Sequence, residues 1–137
     1  MRFMILVKAT QDSEAGKMPP ESLLAEMGKY HEELKNAGLL LDGAGLKPSR
    51  RGWRIGYDGK KRSFVDGPFA ETKELVAGYT IIQAKSREEA IEWTKRFPNP
   101  SIDGGKGEIE VREFFELEDF APSKELERFE KIGLGKK

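Results

Sequence analysis

Cysteine is absent from the 137-residue chain, which excludes disulfides, thiolate catalysis and cysteine-ligated zinc. Histidine occurs once, so a two-histidine metal motif is ruled out and no metal site is expected. Neither sign of charge dominates: Lys+Arg and Asp+Glu number 24 each. The basic excess that marks a nucleic-acid binder is missing, and no nucleic-acid partner is expected. No apolar run approaches the length of a membrane span, and Met1 opens into a strand pattern without the regions of a signal peptide. The expected location is the cytoplasm, with no membrane partner. The phosphate-binding and nucleophile motifs are missing too. Gly43-Ala44-Gly45 fails as a dinucleotide fingerprint because Pro48 stands at the third glycine position. No cofactor is expected.

What is present fits one small domain: 37% apolar and 35% charged residues allow a modest core. Arg2 to Ala9 reads as a first strand, with Phe3, Ile5 and Val7 on one face and Met4 and Leu6 on the other. Both faces carry apolar residues, so both are expected to be covered. A polar loop is expected from Thr10 to Lys17. Pro19-Pro20-Glu21 opens a helix whose face is Leu23, Met27, Tyr30 and Leu34, and Gly38 closes it. Leu39 to Leu46 reads as a second strand. Trp53 to Tyr57 and Lys60 to Val65 form a hairpin about Asp58-Gly59. Leu75 to Ala84 is an apolar strand. Ser86 and Glu89 make a capping box for a second long helix that stops before Pro98. Glu108 to Leu117 alternates as a last strand. The tail, residues 121–137, allows a short helix on Leu126, Phe129 and Ile132 and ends in a mobile Gly-Leu-Gly-Lys-Lys.

The order strand, helix, strand, hairpin, strand, helix, strand predicts an α+β fold, ferredoxin-like βαββαβ with an inserted β-hairpin. Two helices on one sheet face leave the other to be covered. The expected cover is a second copy, giving a homodimer through the sheet face.

The densest local signal is Asp66-Gly67-Pro68-Phe69-Ala70-Glu71-Thr72-Lys73-Glu74. Gly67 frees one backbone angle and Pro68 fixes the next, so the run imposes a tight turn that presents Asp66. This run, with the strand after it through Ala77-Gly78-Tyr79, resembles the DGPF motif of the YCII-related family of small bacterial proteins. The resemblance extends over residues 1–120 and implies a dimeric α/β barrel. It implies a fold more than an activity.

Several side chains are candidates for chemistry. His31, the only histidine, lies at the border of the first helix's apolar face. It reads either as a general base at a cleft edge or as a boundary residue without a task. Asp66 reads as a functional carboxylate or as the group that bonds backbone amides and holds its turn. The family resemblance implies a catalytic His–Asp pair, with His31 matching the helix position and Asp66 the best match for the second. Asp42, Phe69 and Lys73 are weaker ligand-binding candidates. Glu71, Thr72 and Lys73 otherwise read as capping groups. Arg50-Arg51-Gly52-Trp53-Arg54 mixes basic and aromatic groups and reads as a solvated loop opening the hairpin. The expected function is binding of a small organic ligand near His31 and Asp66, without catalysis or in a regulatory role. The resemblance implies association with extracytoplasmic-function sigma factors for that role. The alternative is a cofactor-independent enzyme of lyase-like acid–base chemistry on a small cyclic or aromatic substrate.

Overall fold

A computed structural model describes residues 1–135. Six strands run as β1 (Arg2–Lys8), β2 (Leu40–Gly45), β3 (Trp53–Asp58), β4 (Lys61–Asp66), β5 (Val76–Gln83) and β6 (Ile109–Glu113). Four helices are interspersed: α1 (Gln11–Glu14), α2 (Glu21–Asn36), α3 (Arg87–Lys95) and α4 (Lys124–Lys131). Four strands form an antiparallel sheet in the order β2-β5-β1-β6, and β3-β4 stand apart as a hairpin. With the hairpin set aside, this is the predicted ferredoxin-like order.

The core lies between the sheet and the long helices. Phe3 and Ile5 of β1 and Ile82 of β5 meet Tyr30 and Leu34 of α2 and Ala90 of α3. The predicted 4-3-4 spacing of α2 therefore faces the sheet, although Leu23 and Met27 are only half-buried. Gly38, at φ +81°, ends α2. Its N–H donates to the Lys35 carbonyl, and the Leu39 N–H donates to the Leu34 carbonyl at 2.9 Å, a Schellman closure. On the opposite sheet face, Met4, Leu6, Tyr79 and Ile81 are half-buried and no element of the described chain is built as a layer over them.

Three local expectations are corrected and a fourth, the tail helix, is met. The loop after β1 contains α1, because the Thr10 and Ser13 side chains cap each other's backbone. The hairpin turn sits one residue later, at Gly59-Lys60, since Asp58 pairs with Lys61. Gly59 has φ +61°, which fits a turn with glycine at its first central position. The last strand stops at Glu113, and a single 3-10 turn at Leu117–Asp119 follows. The tail helix forms as α4, yet Phe129 and Ile132 are 46% and 73% exposed. The expected mobile end falls partly on Lys136 and Lys137, which lie outside the described residues. Among the described residues no helix is long and apolar enough to cross a membrane.

Candidate functional site

The turn after β4 is held from outside. The Gly67 N–H donates to the Gly52 carbonyl at 2.9 Å, and the Phe69 N–H donates to Ser49 Oγ at 3.0 Å. Pro68 has no N–H. The two amides that follow Asp66 in the turn are thus engaged elsewhere, among the described residues no hydrogen bond reaches its carboxylate, and the predicted turn-holding role of Asp66 is not realised. Ser49 takes that role. It is fixed in turn by Glu14, whose carboxylate accepts from the Ser49 N–H at 2.8 Å and from the Ser49 hydroxyl. The need for glycine at 67 is also different from expected. Its φ is not positive. A Cβ there would instead fall on the Ser49 carbonyl oxygen. The positive φ belongs to Glu71, at +61°, which precedes the 3-10 turn Thr72–Glu74 without a side-chain cap bond. The capping role expected of Glu71 is absent.

This packing opens a cleft of about 460 Å³ at the Lys8 end of the sheet. Trp53, Phe69, Leu75 and Val76 supply apolar walls, and Lys47, Arg51 and Arg54 supply charge. The Arg54 guanidinium lies 3.9 Å from the Phe69 ring centre, an aromatic seat that fixes its direction. No carboxylate and no histidine lines the cleft. Among the described residues no salt bridge engages Lys47, Arg51 or Arg54.

The candidates from sequence are dispersed. Phe69 lines the cleft. Asp66 is exposed at the end of β4, opposite Trp53. Lys73 is exposed in the 3-10 turn. Asp42 lies on the sheet face away from the helices, opposite Ile81. Its carboxylate accepts from the Tyr79 hydroxyl at 3.1 Å and from the Gly43 N–H. The carboxylate beside it holds the Tyr79 phenol above its ordinary pKa, first through that bond and then through charge.

His31 is half-buried between α2 and the sheet. Its Nδ1 is 2.7 Å from the Met27 carbonyl. A carbonyl only accepts, so Nδ1 carries the proton. In the neutral ring, Nε2 then accepts from the Thr80 hydroxyl at 2.8 Å. The ring also packs edge-on against Phe97, with centroids 6.1 Å apart. His31 and Asp66 share no partner in these contacts: one is bound to α2 and β5, the other lies on the hairpin.

Sequence reasoning passed over Lys47 and Arg54 as site residues and Thr80 as the partner of His31. The basic-aromatic run at 50–54 was the available signal for the cleft. Among the described residues no three of His, Asp and Glu converge as metal ligands.

The family model of the YCII-related domain matches residues 1–118. A curated relative, the uncharacterized protein R00369 of Rhizobium meliloti (strain 1021), is 27% identical over 93 residues, covering 68% of this chain and 75% of its own. Among solved structures, the chain is similar to 5-chloro-2-hydroxyhydroquinone dehydrochlorinase from Burkholderia phenoliruptrix AC1100, solved in complex with 2,5-dihydroxybenzoquinone. The identity is 18%, the TM-score 0.46, and the coverage 85% of this chain and 95% of the other.

Proposed function

Since the chain belongs to the YCII-related domain family, we propose that it is a small-molecule-binding module that takes an organic anion with an apolar body. The ligand sits in the cleft beneath the Asp66–Glu74 loop. The observation that carries this reading is the lining itself: apolar walls from Trp53, Phe69 and Val76 beside Lys47, Arg51 and Arg54. An apolar surface with a few convergent polar groups is what small-ligand sites share. A carboxylate or sulfonate pairs with the cations, and its hydrocarbon part displaces water from the walls. With no carboxylate or histidine lining the cleft, binding is favoured over turnover.

The test is calorimetric titration with aryl and alkyl carboxylates against their uncharged amides. Carboxylates should bind and amides should not, and Arg54→Gln with Lys47→Gln should remove the difference. Equal binding of acid and amide, or indifference to those substitutions, overturns the reading.

The sheet face bearing Met4, Leu6, Tyr79 and Ile81 is read as the contact with a second copy. A one-layer sheet with helices on one side otherwise leaves an apolar face in water. Acid–base chemistry at His31 is the second reading. Its support is the fixed tautomer, which leaves Nε2 as the basic nitrogen. Loss of turnover in His31→Gln, on a substrate found by metabolite screening, is its test.

A further inference from the structure

The hairpin β3-β4 stands apart from the four-stranded sheet. All of β4 is exposed, and β3 is exposed except at Gly56. Cross-strand partners share a face, and the register pairs Trp53 with Asp66, Ile55 with Phe64 and Tyr57 with Arg62. One face therefore collects Trp53, Ile55, Tyr57 and Phe64. Trp53, Tyr57 and Phe64 are 62%, 67% and 59% exposed. A lone two-stranded hairpin is marginal in water, and an aromatic face of this size on it calls for a partner.

The charge pattern indicates which partner. Residues 47–62 carry seven basic side chains against one acidic, and residues 108–119 carry six acidic against one basic. Glu110 and Glu116 are already paired with Lys8 and Arg2, which leaves Glu113, Glu118 and Asp119 as the acidic surface beside the aromatic residues that follow β6. The acidic segment has its own aromatic surface. Phe115 and Phe120, 75% and 48% exposed, pack with ring centres 5.3 Å apart. A hollow of about 220 Å³ beside them is lined by Glu113, Phe114, Phe115 and Asp119. Among the described residues no salt bridge joins the two segments.

The hairpin and the Phe115–Phe120 patch lie at opposite ends of the sheet. The hairpin springs from the end where Lys8 pairs with Val76. The acidic segment leaves from the end where the Phe114 N–H bonds the Arg2 carbonyl. The seven residues of β1 set them roughly 20 Å apart. A two-fold axis crossing the strands brings the Lys8 end of one copy to the Arg2 end of another.

We propose that the hairpin is an exchanged arm: its aromatic face docks on the Phe115–Phe120 patch of a second copy of this chain, reciprocally, with Arg62 and Lys60 meeting Glu113 and Glu118. This contact is additional to the sheet face; it shares Trp53 with the cleft, while Tyr57, Phe64, Lys60 and Arg62 lie outside the cleft lining.

The absence of cysteine permits a direct test. A Lys60→Cys chain is mixed with an isotope-labelled Glu118→Cys chain and treated with a short bismaleimide. Mass spectrometry should find the two introduced thiols joined across light and heavy chains, suppressed at about 1 M salt, where exposed charges are screened. Tyr57→Ser with Phe64→Ser, both exposed in one protomer, should reduce the mixed product on the order of tenfold. So should Arg62→Glu in the Lys60→Cys chain, and adding Glu113→Lys to the Glu118→Cys chain should restore it. Absence of the mixed product, or its persistence through these substitutions, overturns the arm. Tight binding of a single-stranded oligonucleotide by the hairpin, without inter-chain cross-linking, also overturns it and marks the face as a stacking surface.

Discussion

Thr80 and His31 are joined across the helix–sheet interface, with Thr80 Oγ1 2.8 Å from His31 Nε2. Thr80 is only 3% exposed, so its hydroxyl has no water to turn to. This gives His31 a structural role whatever its chemistry, and it revises the expectation that a cleft-edge histidine is dispensable for folding.

His31→Ala should destabilise the protein by about 1–3 kcal/mol, because it strands a buried hydroxyl. Thr80→Val should cost less, since His31 is half-buried and can hydrate Nε2. The double variant should be less unstable than the two single losses added together. Urea denaturation of the four proteins measures this. Additive losses would show that the two side chains do not depend on one another.

Asp66→Ala and Gly67→Ala should behave in opposite ways to their prominence as chemical groups. Asp66 is exposed and the amides around it are committed to Gly52 and Ser49. Its removal should change stability by no more than about 0.5 kcal/mol. Gly67→Ala drives a methyl into the Ser49 carbonyl and should cost about 1–3 kcal/mol. It should also weaken ligand binding at the cleft, because the same displacement moves Phe69. Thermal melts rank the two variants, and a larger loss for Asp66→Ala would contradict this account of the loop.

Leu6→Glu tests the sheet face. Leu6 is half-buried on the central strand, on the side away from the helices, opposite Tyr79 and Glu110. A carboxylate there is tolerated in water and costly in a dry interface. Light scattering at micromolar concentration should give a dimer for the wild type and a monomer for Leu6→Glu with unchanged helix content. A monomeric wild type, or a dimeric variant, would remove the sheet face from consideration.

The elements were legible where their causes are local. The α2 face follows from four spaced apolar residues, its end from Gly38, and the hairpin from one glycine. The topology follows from element order. The cleft was not legible, because it is made by contacts distant in sequence. Ser49 reaches Phe69 across 20 residues, and Glu14 reaches Ser49 across 35. Periodicity carries no information about such bonds. The same holds for His31, whose partner Thr80 is 49 residues away. Asp before Gly-Pro is a common turn former, but here Ser49 supplies the acceptor that holds the turn. The charge segregation between residues 47–62 and 108–119 was present in the sequence but concealed by the net total.

Tyr30 supplies a pH prediction. It is 5% exposed, and its hydroxyl donates to the Trp93 carbonyl at 2.7 Å. Burial pushes its pKa up from 10.0 to about 12, with the nearby Arg96 charge pulling the other way and Glu33 adding slightly. The folded state therefore keeps the phenolic proton after the unfolded chain has released it. The stabilisation is complete below pH 10 and is lost as pH rises from 10 towards about 12. Two pH units of linkage correspond to roughly 2–3 kcal/mol. Tyr30→Phe should start about 1 kcal/mol less stable, because the Trp93 carbonyl loses its donor, and its stability should fall less steeply across that window. Urea melts of both proteins at intervals from pH 8 to about 11.5 measure the difference. Parallel curves for wild type and Tyr30→Phe would mean that the phenol titrates as freely in the fold as outside it, and that its burial between α2 and α3 is not what holds the proton.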